Sequence, residues 1–189
     1  MRKKILFSSK GFTLTELLII IFIFLLIIGA VYSSHLLSYR SYQAGEKMAE
    51  VAQNGRVILE RASREIRQAR EIATELPAQE INATDTIEFE DGHLSESYHY
   101  IRYFKEEDDV KREVRGYYFS GDAGTLVPWD AEPPVGQTLE IEVLESPKII
   151  GEYVSALGFW GNKLIGIDLT LEKGDKKFNL ETKVFGRNL

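Results

Sequence analysis

Twenty-one residues, Phe12 to Tyr32, form a nearly unbroken apolar run whose only charged side chain is Glu16. At ~1.5 Å per helical residue, such a run is long enough to cross a ~30 Å hydrocarbon layer. A charged side chain within a membrane helix costs roughly 2.5–3.5 kcal/mol near the bilayer centre, and less towards the interface. Glu16 therefore needs a partner. Immediately upstream lie a basic leader, Met1 to Lys10, and a single glycine, Gly11. A cut after Gly11 would make Phe12 a free N-terminus, with an amine of pKa ~7.7–8.0 that is largely cationic. Cation and carboxylate would then lie four residues apart, able to compensate each other within one chain or between neighbouring chains.

The leader carries Arg2, Lys3, Lys4 and Lys10 and no acid. By the positive-inside rule it stays cytoplasmic, and the bulk of the chain lies on the far side of the membrane. A cleavable secretory signal fits less well. Ile28-Gly29-Ala30 is a poor small-x-small site, and the helical pattern continues past it.

The junction closely resembles the class III signal of type IV prepilins and pseudopilins. That pattern is a short basic leader, Gly, an N-methylated Phe, then Thr-Leu, with Glu at the fifth position after the cut. The matching residues here are Lys10, Gly11, Phe12, Thr13-Leu14 and Glu16. An ordinary anchor has no need of a glycine followed by a buried acid. The resemblance implies cleavage between Gly11 and Phe12 and N-methylation of Phe12 by a prepilin peptidase/methyltransferase. It also implies an assembly charge pair between Glu16 of one subunit and the Phe12 amine of a neighbour. Gly11, lacking a Cβ, allows a peptidase to approach the backbone closely.

The 189 residues leave room for one soluble domain of ordinary size beyond the membrane segment. The formal net charge is −6, and with the four leader cations removed the remainder is −10. An acidic mature chain is poorly suited to wrapping nucleic acid, whose binding rests on phosphate neutralisation. There is no Cys, which excludes disulfides, thiolate metal sites and Cys nucleophiles. Many major pilins close their C-terminal region with a disulfide, so its absence tilts the resemblance towards pseudopilins or minor pilins.

Beyond the membrane segment, Met48, Val51, Gly55, Ile58, Ala62, Ile66, Ala69, Ala73 and Leu76 recur at three- and four-residue steps. This spacing predicts an apolar stripe on one face of a helix. Glu60/Arg64, Arg61/Glu65 and Arg67/Glu71 stand at the i,i+4 spacing of a solvated face, and they largely cancel the basic cluster Arg56, Arg61, Arg64, Arg67, Arg70. No Pro precedes Pro77, so one helix of about 60 residues, near 90 Å, is expected to stop there, with Gly29 and Gly45 its soft spots.

After Pro77 the period changes to two. Thr86 to Glu90 alternates up to the turn signal Asp91-Gly92. Tyr98 to Lys105 and Val110 to Phe119 read as a hairpin joined by the acidic Glu106-Glu107-Asp108-Asp109. Ser120 to Gln137, rich in Gly and Pro, reads as a long irregular loop carrying Trp129. Thr138 to Val143 alternates, Tyr153 to Trp160 is a further strand, and Leu164 to Glu172 turns at Lys173-Gly174-Asp175 into a return strand bearing Phe178, Leu180, Thr182 and Val184. An antiparallel sheet with one apolar face needs a cover, and the striped helix supplies it.

The expected fold class is thus α+β and pilin-like: a long N-terminal helix, its first half membrane-spanning, packed on an antiparallel β-sheet head. The divisions are a leader at 1–11, a transmembrane or filament-core helix at 12–43, and a head at 44–189 with its helix at 44–76 and β-rich part at 84–186. Arg56 to Ile72, Tyr100-Ile101-Arg102-Tyr103 and Val184-Phe185-Gly186-Arg187-Asn188 resemble, loosely, minor pseudopilins of the J type and W-type minor pilins.

Catalytic signatures are missing from the sequence: no Walker loop, no His-Glu-x-x-His, no Gly-x-Ser-x-Gly. His35, His93 and His99 are scattered, and His93 and His99 read as strand-end residues rather than a metal pair. The quartet Glu106 to Asp109, and Asp122, Asp130 and Glu132, lack a calcium-ligand register and read as solvated charge. No cofactor, metal, small-molecule substrate or catalytic residue is expected, and no nucleic acid partner. The resemblance implies a structural subunit, minor pseudopilin or minor pilin, whose mechanism is assembly. Its partners would be the processing peptidase, other pilin or pseudopilin subunits and the inner membrane, in type II protein secretion or pilus biogenesis. The alternatives are a surface- or DNA-binding tip subunit, or a membrane-anchored binding domain that does not assemble.

Overall fold

A computed structural model describes Gly11 and residues 13–92 and 98–187. The chain divides into two compact units, Met1–Glu46 and Lys47–Leu189. One α-helix, α1, runs from Leu14 to Gln68 and continues unbroken through Gly29 and Gly45.

In the first unit the apolar side chains of α1 are exposed among the described residues. Leu17 to Ile28 are all exposed, as are Val31 and Tyr32. The segment is long and apolar enough to cross a membrane, with a mean hydropathy of 2.9 over its most apolar window. Ser33 donates its hydroxyl to the Gly29 carbonyl at 2.8 Å, so this polar group is satisfied inside the helix.

The second unit holds the core. It comprises the C-terminal part of α1, a 3-10 turn at Glu80–Asn82 and eight strands: β1 Thr86–Glu90, β2 Tyr100–Glu106, β3 Asp109–Phe119, β4 Asp122–Val127, β5 Leu139–Gly151, β6 Val154–Gly161, β7 Leu164–Lys173 and β8 Lys176–Phe185. All pairings between these strands are antiparallel. One sheet contains β1, β2 and β3, with both β4 and β5 paired to β3; the other is β6-β7-β8. Arg115 pairs with Tyr100 of β2 and also with Val143 of β5, so β5 lies on the side of β3 away from β2.

The expected stripe is the buried face of the helix: Val51, Gly55, Ile58, Ala62 and Ile66, joined by Leu59. It packs with Ile165, Ile167, Leu169 and Leu171 of β7, Val184 of β8, and Ile87, Phe89, Ile101 and Tyr103 of the first sheet. At Gly55 the helix lies close against the second sheet. A Cβ there would run into the methyls of Leu180 and Leu171. This is the α+β arrangement anticipated, a long N-terminal apolar helix packed on antiparallel sheets.

Four details differ from the sequence reading. The helix ends at Gln68, not near Leu76. From Arg70 the backbone exchanges helical hydrogen bonds for sheet-like ones: Arg70 N–H donates to Glu90 O at 3.2 Å, Glu90 N–H to Glu71 O at 3.0 Å and Ala73 N–H to Glu88 O at 2.9 Å. Ile72, in a β-bridge with Phe89, and Leu76 still pack against the core, from an extended segment rather than from a helix. Arg67 and Glu71 are consequently not a helical pair. Second, the Gly-rich stretch contains β4, an edge strand of low β-propensity exposed from Asp122 to Thr125. Third, β5 runs past Val143 through Pro147 to Gly151, which an edge strand tolerates. Fourth, there are two sheets, tied by a two-way backbone bridge between Thr84 and Phe159.

Because Gly55 abuts leucine methyls, Gly55→Val should overpack the helix–sheet contact and destabilise the head by about 1–3 kcal/mol. Gly45→Ala, where nothing lies within 4 Å of an added Cβ, should leave the head unaffected. Thermal unfolding of the full chain in detergent, followed by near-UV circular dichroism, distinguishes the two.

Candidate assembly site at the start of the helix

Leu14 is the first helical residue, so Thr13 is the N-cap and Glu16 the third residue of the first turn. Their hydrogen bonds are reciprocal. Glu16 Oε2 accepts from the Thr13 N–H at 2.9 Å and from the Thr13 hydroxyl at 2.8 Å, and the Glu16 N–H approaches Thr13 Oγ1 at 3.3 Å. This is a capping box, Thr-x-x-Glu, which satisfies two of the donors that a helix start leaves open. The negative carboxylate also lies at the favourable end of the helix dipole. The sequence reading took Thr13 only as part of the signal motif and not as a cap, although the three-residue spacing to Glu16 carried the signal.

Gly11 is exposed and has open space around its α-carbon. Phe12 lies outside the described residues, as does Lys10. The site therefore presents an accessible glycine, a capped carboxylate and a helix whose following turns are wholly apolar and exposed.

The head has its own charged clusters, of which the sequence showed only the helical pair Arg61/Glu65. Glu65, expected on a solvated face, is turned inwards. Its carboxylate accepts from Tyr103 Oη at 2.7 Å and Arg112 Nε at 2.9 Å, and it also pairs with Arg61 at 3.4 Å. On the opposite face of the first sheet, buried Glu113 pairs with Arg102 at 3.1 Å and with Arg115, while buried Glu88 accepts from Tyr117 Oη at 2.6 Å. Glu90, also buried, pairs with Arg70 at 3.1 Å. The contacts of Glu65 and of Arg70 join helix or loop to strand, whereas those of Glu88 and Glu113 tie β1, β2 and β3 to one another.

The other acidic residues have local roles. Glu106 pairs with Lys111, and Lys105 donates to the Glu107 carbonyl across the β2–β3 turn. Asp122 accepts from Gly124 N–H at 3.2 Å and Thr125 Oγ1 at 2.8 Å, holding the start of β4. Asp130 and Glu132 are exposed on the loop after β4. His35 is exposed on α1, the carbonyl of His99 accepts from Asp91 N–H at 2.8 Å, and His93 lies outside the described residues. Among the described residues, no group of three or more His, Cys, Asp or Glu is placed to hold a metal.

Trp129 donates its indole N–H to Glu71, and its backbone N–H donates to Tyr100 Oη at 3.1 Å. It lines a cleft of about 690 Å³ together with Arg70, Glu71, Leu76, Gly161 and Asn162. Two acids, Glu71 and Glu75, border this cleft.

The N-terminal segment is similar to one known family model. Residues 6–32 carry the prokaryotic N-terminal methylation motif. The matched span takes in the leader junction, Thr13, Glu16 and the apolar run, and it implies a processed, type IV pilin- or pseudopilin-like subunit. No curated protein and no solved structure matches the chain.

Burial raises the hydroxyl of Tyr103 well above its ordinary value, and the adjacent Glu65 carboxylate adds to the effect. Tyr117 is raised by burial and by its bond to Glu88, and Tyr100 is pushed up to about 12 by burial. Groups raised in the folded state stabilise it fully below their unfolded pKa of ~10 and lose that contribution as pH climbs through the folded values. Ultraviolet titration should therefore show these three tyrosines ionising only as the head unfolds above about pH 10. Tyr103→Phe should remove one late-ionising group and lower stability by about 1.5–3 kcal/mol for a lost bond to a charged acceptor.

Proposed function

We propose that this chain is a membrane-stored, peptidase-processed structural subunit of a type IV pilus-like filament, a minor pseudopilin of the J type or a W-type minor pilin. It serves type II protein secretion or pilus biogenesis and performs no catalysis. The observation that carries the reading is the methylation motif at residues 6–32 together with the exposure of the apolar side chains of α1 from Leu14 to Tyr32. Cleavage falls between Gly11 and Phe12, and the new amine of Phe12 is methylated. The N-terminus is cytoplasmic before processing and the head lies beyond the inner membrane.

During storage the apolar helix faces lipid. On assembly it exchanges lipid for helices of neighbouring subunits, an exchange in which bulk hydrophobicity changes little. A charge pair supplies the register that greasy packing does not. In this reading Glu16, capped by Thr13, accepts the Phe12 cation of a neighbour in the filament. Breaking such a pair strands a charge in low dielectric, at a cost of about 3–5 kcal/mol.

Another reading, a binding subunit at a filament tip, is favoured by the cleft beside Trp129. Glu71 and Glu75 on its wall and the acidic mature chain argue against DNA as the ligand there.

Intact-mass analysis of the mature protein, produced with a prepilin peptidase, should find Met1 to Gly11 absent and one methyl group on the new terminus. Retention of the leader overturns the proposal. Gly11→Leu should accumulate as full-length precursor in the membrane.

Charge and capping are separable by choice of substitution. Glu16→Gln keeps the capping box, because glutamine serves at that position as glutamate does, but loses the charge. Glu16→Leu loses both. If the charge pair sets register, both variants are processed, remain in the membrane and are depleted from sheared filaments. Normal incorporation of Glu16→Gln would assign Glu16 a capping role alone.

A further inference from the structure

Sheet edges that stay open in a folded protein are usually blunted by lysine, proline or a bulge, because an unblunted edge templates pairing with another chain. The edges of this head are managed unevenly. The outer edge of β1 is taken by the segment at Arg70–Thr74, and β6 is bridged to Thr84. Strand β8 carries Lys176, Lys177 and Lys183. The second half of β5 contains Pro147 and Lys148, and its pairing with β3 shifts register three times between Val110 and Arg115.

The first half of β5 differs. From Leu139 to Val143 it pairs residue for residue with Phe119 back to Arg115, with no shift, no proline and no lysine. Among the described residues, its one strand partner is β3. Among the described residues, its outer edge is open over five residues, about 17 Å of strand. Ile141 and Val143 stand half exposed on one face of it, at 51% and 50%. Glu140 and Glu142 stand exposed on the other. Glu140 accepts from its own neighbour, Tyr118 Oη, at 2.8 Å, and no cation of the chain pairs with either acid among the described residues.

That alternation selects the occupant. A second copy pairing antiparallel about Ile141 would set Glu140 of each chain against Glu142 of the other, and like charges opposed across strands are destabilising. A strand with cations at alternate positions would instead place opposite charges side by side on one face and extend the aliphatic row on the other. We propose that the edge of β5 over Leu139–Val143 docks an extended segment of another protein, in which lysine or arginine alternates with β-branched residues, as an added strand. This contact is independent of the methylation motif and of the membrane helix, and it holds whatever filament the subunit serves.

The probes are three fluorescent peptides, added to the full chain in non-ionic detergent and followed by anisotropy. One alternates lysine and valine, one has the same residues in two blocks, and one alternates glutamate and valine. The first should bind, and the other two should bind at least about tenfold more weakly, since only the first meets both faces of the strand. The double variant Glu140→Lys/Glu142→Lys should reverse the preference towards the glutamate peptide, whereas Glu172→Lys, exposed on β7, should not. Independently of any variant, the lysine–valine peptide should slow hydrogen exchange in Leu139–Val143 of the unaltered chain. Equal binding of the alternating and block peptides would reduce the effect to net charge and overturn the proposal. It is also overturned by an unreversed preference, by no binding to the folded chain, or by self-association that the double variant abolishes.

Discussion

The contact between the helix stripe and the two sheets carries the rest of the head. Neither sheet has an apolar face that water tolerates, and neither is large enough to fold back on itself. The stripe from Val51 to Ile66 serves both at once, meeting β7 and β8 near Gly55 and the first sheet near Ile58 and Glu65. Burying such side chains is worth roughly 1.5–3 kcal/mol each, so the stripe supplies much of the drive for the whole unit. Its small positions, Gly55 and Ala62, decide how closely the helix approaches.

Charge then refines what burial drives. Glu65 reaches from the helix to Tyr103 and Arg112 on β2 and β3, and Glu88, Glu90 and Glu113 each hold a tyrosine or an arginine. An unpaired carboxylate at any of these positions would be costly, which makes wrong registers between the elements unfavourable. The polar groups thus specify the arrangement that the apolar ones stabilise.

At the other end of the helix the same economy recurs with different partners. The carboxylate of Glu16 is satisfied by Thr13 within the first turn, while the apolar side chains of the turns that follow are exposed. The head has a core of its own, whereas among the described residues the apolar side chains of α1 from Leu14 to Tyr32 are exposed. That division is what the N-terminal motif implies for a processed, pilin-like subunit.

The sequence by itself determined the features that depend on local order and period. The apolar run with its single acid, the glycine before it, the three- and four-residue stripe and the period-two strands from Leu164 to Val184 are written in neighbouring residues, and they appear where expected. The capping box was equally local and lay unread in Thr-Leu-Thr-Glu. Tertiary structure decided whatever depended on distant partners. The helix ends at Gln68 because β1 offers Arg70 to Thr74 a better set of hydrogen bonds than another helical turn would, and alanines at 69 and 73 fit either conformation. Strand β4 exists because β3 templates a Gly-containing segment with little strand preference of its own. Glu65 faces inwards because Tyr103 and Arg112, 38 and 47 residues away in sequence, are brought to it. Periodicity reports a side chain's neighbours along the chain, and only the fold reports its neighbours in space.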